Sequence, residues 1–386
     1  MASTINHQNL IEDIILEILL RLPVKALSRF KCVCKLWYTL IESPSFINRH
    51  LSHENNRERL LVRHCGPDDE YAYALYLDEN LSEYEEPDHW QMLLKVGVLL
   101  GPLNGIFCSF GINRQMALLN PATRKFRPIP FRKRDTPPHL TTCEDIFGFG
   151  MDPVSGNYKL VSLRFFWNEE TNVAHYPSLV SVYNSGNDSW RYFEDADLVN
   201  SSRSTNKSLC NTFLNGVYYW LTESNENVAI LAFDMSKEAF REIGTPHCIK
   251  PKEGELALCG DSISLLSYDP DKTNKYVDIW VMKKEGCWNK SFTIGPFPDL
   301  RWPLGLWNKS ELLLETESLF LSLYNVKTKK LRTLKSRKKE NGFFIYLIFS
   351  YKESLVSLKG DRYRFEELDI SSDAFKDYFK KSSTNI

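Results

Sequence analysis

From residue 9 to residue 46 the apolar positions follow a helical period, whereas beyond residue 60 they come in short β-branched and aromatic runs broken by turn formers. Ile11, Ile14, Ile15, Ile18, Leu19 and Leu22 recur at helical steps, which places them on one broad face. Asn9, followed by Glu12, has the form of a reciprocal N-terminal cap. The helix is predicted to stop near Leu22, because Pro23 lacks an amide hydrogen and suits only the first turn of the next helix. A second helical stretch is predicted from Val24 through Leu27, Phe30, Val33, Cys34, Trp37 and Leu40, closed by SPSF at residues 43–46. The expectation is a helical hairpin or three-helix module of about 45 residues, a size at which a core is seldom sufficient alone. It carries more large apolar side chains than such helices can hide from water. Either another chain or the rest of this protein must cover them.

The remainder repeats itself. LLNPATRKFR begins at residue 118, VYNSGNDSWR at 182, AFDMSKEAFR at 232 and LYNVKTKKLR at 323. The third residue is always Asn or Asp (Asn120, Asn184, Asp234, Asn325), the ninth is large and apolar (Phe126, Trp190, Phe240, Leu331), and the tenth is Arg. An Asn or Asp at a strand end bonds the backbone two residues on and starts a turn, so each copy is predicted to be a β-hairpin whose ninth residue faces inward. GMDPVSGNYK from 150 fits the same template with Lys159 in place of Arg, and SYDPDKTNKY from 267 fits it with one extra residue. LNG at 103 and 214 precedes two further strands.

Sheet starts near residues 103, 146, 213, 257, 304 and 343 are spaced at the pitch of propeller blades. The predicted fold is mainly β with a small α domain: N-terminal helices followed by a six-bladed kelch-like β-propeller. The strands between Leu60 and Leu77 are expected to complete the blade that starts at Phe343 and so close the ring. The predicted boundaries are 1–51 for the helices, 52–59 for a polar joint, 60–370 for the propeller and 371–386 for a polar tail. A β-sandwich fits more than 300 residues of regular units poorly.

With 48 basic against 49 acidic residues the net charge is -1, so charge-driven recognition must come from local patches. Nine cysteines without a C-x-x-C pair suggest reduced thiols and a cytoplasmic or nuclear location. The N-terminus lacks a secretory pattern, and FFIYLIFSY at 343–351 suits a buried strand rather than a membrane span. No nucleophile elbow, zinc motif or phosphate loop is present, so no catalytic, cofactor-binding or metal site is expected. A propeller enzyme with a copper centre stays open, although no Cys and Tyr spacing singles one out.

Two charge runs stand out. Asp68, Asp69, Glu70, Asp78, Glu79, Glu83, Glu85, Glu86 and Asp88 occupy a stretch free of Lys and Arg, and residues 327–339 hold eight basic residues in thirteen. Either run can be a solvated face. Alternatively the acidic one recruits a basic protein, and the basic one binds nucleic acid.

LIEDIILEILLRLPVKALSRFKCVCKLWYTLI resembles an F-box, and LPVKALSRFKCVCKLW at 22–37 is close to its plant form. LNPATRKFR, GFGMDP, NYKLV, DSWR, FDMSKEAFREI, DIWVM and WNKSFTIGPF resemble, in order, the F-box-associated kelch-like region of the same plant proteins. Within them the chain looks most like the S-locus F-box group of pollen self-incompatibility determinants.

The resemblance implies a non-catalytic substrate receptor of an SCF-type E3 ubiquitin ligase. Its F-box would bind a Skp-type adaptor and, through it, cullin and a RING protein. Leu10, Ile11, Ile14, Ile18, Leu22, Pro23, Val33, Cys34 and Trp37 stand at positions that contact the adaptor or shape the helices that do. The family usually places Pro where Ile11 stands, so docking is expected to weaken by at most about 1 kcal/mol. The propeller would hold a protein substrate by loops near 66–90, 132–146, 194–212 and 246–256. A basic S-ribonuclease would suit the acidic run; an immune receptor is the alternative cargo.

Overall fold

The fold is described from a computed structural model covering residues 7–65, 71–77, 81, 84–85, 98–110, 116–132, 140–168, 173–193, 204–205, 211–223, 227–250, 254–307, 311–334, 344–358 and 363–364. Four helices come first: α1 (His7–Leu20), α2 (Val24–Phe30), α3 (Lys35–Glu42) and α4 (Pro44–Ser52). α1 starts upstream of Asn9, which therefore lies within the helix instead of capping it. Pro23 precedes α2 as its N-cap, with φ -67° and ψ 154°. The predicted second helix is broken at Cys34, whose extended φ of -160° forms the N-cap of α3. SPSF opens α4 rather than closing a helix: Ser43 Oγ accepts the Phe46 amide at 3.2 Å, and Pro44 fills the first turn, where its missing N–H costs nothing.

Six sheets follow. Blade one joins β25 (Phe344–Tyr351) to β1 (Arg59–Cys65), β2 (Tyr71–Tyr76) and β3 (Tyr84–Glu85). Because β25 pairs with β1 from Arg59 opposite Tyr351 onward, the two ends of the ring are tied in one sheet. Blade two comprises β4 (Val98–Leu103), β5 (Ile106–Phe110), β6 (Met116–Asn120) and β7 (Lys125–Ile129), with β26 (Tyr363–Arg364) outside β7. Blade three holds β8 (Leu140–Met151), β9 (Tyr158–Asn168), β10 (Val173–Asn184) and β11 (Ser189–Phe193). In blade four, β12 (Ser204–Thr205) and β13 (Phe213–Leu214) both pair with β14 (Val217–Glu223), followed by β15 (Val228–Asp234) and β16 (Ala239–Gly244). Blade five is β17 (Gly254–Leu258), β18 (Ile263–Ser267), β19 (Lys275–Lys284) and β20 (Cys287–Phe297). Blade six is β21 (Leu300–Trp307), β22 (Glu311–Thr316), β23 (Leu321–Asn325) and β24 (Lys330–Thr333). Six apolar clusters fill the six junctions between neighbouring blades, including the junction of blade six with blade one. The wheel is held by burial between blades as well as by ladders within them.

The repeated decapeptides are hairpins built as their third residue dictates. Asn120 Oδ1 accepts the amides of Ala122 and Thr123, Asp234 Oδ1 those of Ser236 and Lys237, and Asn325 Oδ1 those of Lys327 and Thr328. Asn184 Oδ1 accepts the amide of Gly186. The seventh residue of each copy has positive φ: Arg124, Asp188, Glu238 and Lys329 lie between 51° and 56°, and Gly156 fills the same place in the fifth copy at 69°. One inward residue was misplaced. Phe126 is buried and Trp190 and Phe240 are half-buried against the clusters between blades, but Leu331 on the outer strand β24 packs against none of them and is 52% exposed.

Candidate functional site

Neighbouring strands of each blade are antiparallel, so the first-to-second and third-to-fourth turns share one face of the wheel, and the other connections share the opposite face. The helices sit on the first face, beside blades one and two. Leu19, Leu20, Val24, Leu27, Ile41 and Phe46 form their core, and Leu355, which follows β25, is buried in it; Ala122, from the β6–β7 turn, packs against it. Part of the apolar surface read from the sequence is thus covered by this chain itself.

The chain after β25 is a polar as well as an apolar anchor. Glu353 accepts from Arg59 Nη1 at 2.7 Å and from the Val24 amide at 3.4 Å, and its carbonyl accepts from Asn56 Nδ2 at 2.8 Å. The polar joint between helices and wheel is thereby pinned at both ends. Asn120 does double duty: beyond its turn, its buried Nδ2 donates to the carbonyls of Ser354 at 3.0 Å and Val356 at 2.8 Å. Gly105 lies against the same segment, where a Cβ would fall 2.4 Å from that of Ser354, so no side chain fits. In α4, His50 Nε2 donates to the Leu22 carbonyl at 2.8 Å, which fixes the neutral tautomer, and burial holds its pKa below the ordinary range.

The rest of the helical module is open. Ile14 (51% exposed) and Ile18 (54%) lie one turn apart on α1, and Val33 (61%), Leu36 (60%) and Tyr38 (53%) crown the α2–α3 junction. Five large apolar side chains are thus left in water on α1, α3 and the turn between α2 and α3. Pro23 and Cys34 are exposed beside them, and each caps a helix. Leu22 and Trp37 are half-buried against the internal core, and the Trp37 ring lies 5.4 Å from that of Phe30. These two shape the helices. Leu10 and Ile11 lie in α1, with side chains outside the described residues. Leu36 and Tyr38 were not singled out from the sequence, because a continuous second helix hides the turn at 31–34 that presents them.

On the wheel, Asp68, Asp69, Glu70, Asp78, Glu79, Glu83, Glu86 and Asp88 lie outside the described residues. Glu85 pairs with Leu75 in the ladder, and its side chain is not described. Of the basic run, Lys327, Lys329, Lys330 and Arg332 are exposed on the β23–β24 hairpin, and residues 335–339 are outside the described residues. All four expected loops are partly strand: β2 and β3 fall within 66–90, β8 begins at Leu140, β12 lies within 194–212, and β17 begins at Gly254. Among the described residues no group of three His, Cys, Asp or Glu side chains could hold a metal ion, and no helix is long and apolar enough to cross a membrane.

The F-box domain model matches residues 8–49, and the F-box associated beta propeller domain matches residues 101–358. The F-box/kelch-repeat protein At3g23880 of Arabidopsis thaliana is 29% identical over 82% of this chain and 88% of its own length. The F-box protein CPR1 of the same plant is 26% identical over 92% of both chains. Among solved structures, a chain of the nidogen/laminin complex is 12% identical, covering 77% of this chain and 100% of its own at a TM-score of 0.45. The two family matches fall on the two halves that the geometry separates, the open helices and the closed wheel, and the chain belongs to the F-box proteins that carry an F-box associated beta propeller domain.

Proposed function

We propose that this chain is the substrate-binding subunit of an SCF-type ubiquitin ligase and does no bond chemistry itself. An F-box with a propeller is the arrangement of a substrate-recognition protein, in which the F-box takes a Skp-type adaptor and the propeller a protein substrate. The observation that carries the reading is the exposure of Ile14, Ile18, Val33, Leu36 and Tyr38 on helices whose other side is already anchored to the wheel. An adaptor covering them gains their burial, roughly 1.5–3 kcal/mol for each side chain fully removed from water. Cullin and the RING protein would join through the adaptor. The propeller would raise the cargo's local concentration at the ubiquitin-charged enzyme.

The wheel face away from the helices supports substrate capture, since cargo held there does not collide with the adaptor. The acidic run supports a basic protein as cargo. A basic S-ribonuclease in pollen self-incompatibility is the most specific form of this reading, and it rests on sequence resemblance and that run alone. The test is reconstitution of the full chain with a Skp-type adaptor. Co-elution as a stable complex, lost when Ile18 and Val33 both become Glu, supports the assignment; a complex indifferent to both changes rejects it. Capture of a basic ribonuclease from pistil extract tests the finer reading.

A further inference from the structure

The inner strands of the wheel enclose a cavity of about 260 Å³ at the axis. Leu103, Phe213, Leu258, Leu304, Trp307 and Ile348, drawn from five of the six blades, make its walls apolar. Most of these residues stand near the strand ends on the face that carries the helices. The polar groups are few. Asn211 is committed, donating to the Pro102 carbonyl at 3.3 Å and accepting from the Phe213 amide at 3.2 Å. Glu58 and Ser350 are exposed at the rim, and neither side chain has a hydrogen bond or ion pair among the described residues. The adjacent Arg59 is engaged by Glu353, and among the described residues no cation pairs with the Glu58 carboxylate.

We propose that this axial cavity is a binding site for a small amphipathic amine: an apolar body the size of one aromatic ring and a short chain, with a protonated nitrogen held at the rim by Glu58 and Ser350. Apolar walls with a few polar groups at one end are the ordinary construction of a ligand pocket, and this volume lies just below the drug-sized range, which sets the ligand's size. A carboxylate at an apolar mouth selects cations over anions of the same shape. The site is distinct from the helical surface offered to an adaptor. Glu58 nevertheless belongs to the joint pinned by Asn56 and Arg59, so a ligand here touches the connection between helices and wheel.

The experiment is ligand-observed saturation-transfer NMR on the full chain with 2-phenylethylamine, and with the neutral 2-phenylethanol and the anionic phenylacetate for comparison. Saturable binding of the amine is expected, weakened about three- to fivefold in Glu58→Gln, since an exposed carboxylate contributes modestly, and abolished in Ser350→Trp, which plugs the mouth. Absence of saturable amine binding overturns the site. Binding of the alcohol or phenylacetate as tight as that of the amine, or amine affinity unchanged by Glu58→Gln, overturns the ligand class. Should Ser350→Trp unfold, the Glu58→Gln comparison decides, because that side chain is exposed and has no hydrogen bond or ion pair among the described residues.

Discussion

The guanidinium of Arg127 in blade two meets the carboxylate of Asp188 in blade three at 2.7 Å, and its Nη1 donates to the Ser185 carbonyl at 3.2 Å. Arg127 is the tenth residue of the first repeat, and Asp188 the positive-φ residue of the second. The pattern recurs around the wheel. Arg191 pairs with Glu238 of the next hairpin, Arg241 Nε lies 2.9 Å from Glu285, and buried Lys159 donates to the Met235 carbonyl at 2.6 Å and to Glu238 at 2.8 Å. At Arg127, Lys159, Arg191 and Arg241 the repeated basic position is thus a tie between blades, whereas Arg332 of the fourth decapeptide is exposed on its outer hairpin. Arg127→Ala is expected to cost about 1–2 kcal/mol, since it removes a charge-assisted bond and leaves a carbonyl short of a partner. Urea denaturation of the single and double variants at Arg127 and Asp188 should give a non-zero coupling energy; additive effects would remove the tie.

Ile18→Glu is expected to weaken adaptor binding about 30-fold or more, with thermal unfolding nearly unchanged, because the side chain is already in water before docking. Leu27→Ala should do the reverse, costing about 2–5 kcal/mol of stability through a cavity in the helical core. Titration calorimetry and chemical denaturation separate the two.

Glu353→Ala removes the acceptor shared by Arg59 and the Val24 amide. Faster amide hydrogen exchange is expected in α2 and in the joint at 53–58, with blades three to five unaffected. Uniform exchange rates in α2 before and after the change would show that burial of Leu355 alone anchors the module.

Stability should depend on pH through His50. Burial lowers its folded pKa below the ordinary 6.5, while the Leu22 carbonyl and the charge of Glu353 oppose that shift. The unfolded chain therefore binds a proton that the folded one resists. The contribution is complete above pH 6.5 and is lost as pH falls from 6.5 toward the folded value. His50→Gln should flatten the loss of stability measured in urea between pH 7.5 and 5, and an unchanged slope would assign it to other groups.

Lys329 has φ of 56° and is exposed at a turn where no side chain is required. Lys329→Gly is expected to stabilise the chain by about 0.5–1 kcal/mol, because relief of the left-handed strain exceeds the added chain entropy. A lower midpoint in urea would count against this account.

The hairpins were legible because their cause is local: Asn120, Asn184, Asp234 and Asn325 bond amides only two or three residues away. The exposed half of the F-box was legible only in part. Ile14 and Ile18 lie on one uninterrupted helix whose period reveals them, but Leu36 and Tyr38 depend on a break at Cys34 that periodicity does not mark.

The sequence by itself determined the first helix, the repeated hairpins and the number of blades, since turn chemistry and apolar period act within a few residues. It did not determine why the tenth residue is basic, which helical residues are covered, or that a cavity lies at the axis. Those depend on contacts between segments as far apart as Val24 and Glu353, or Glu58 and Trp307, and only closure of the ring brings such segments together.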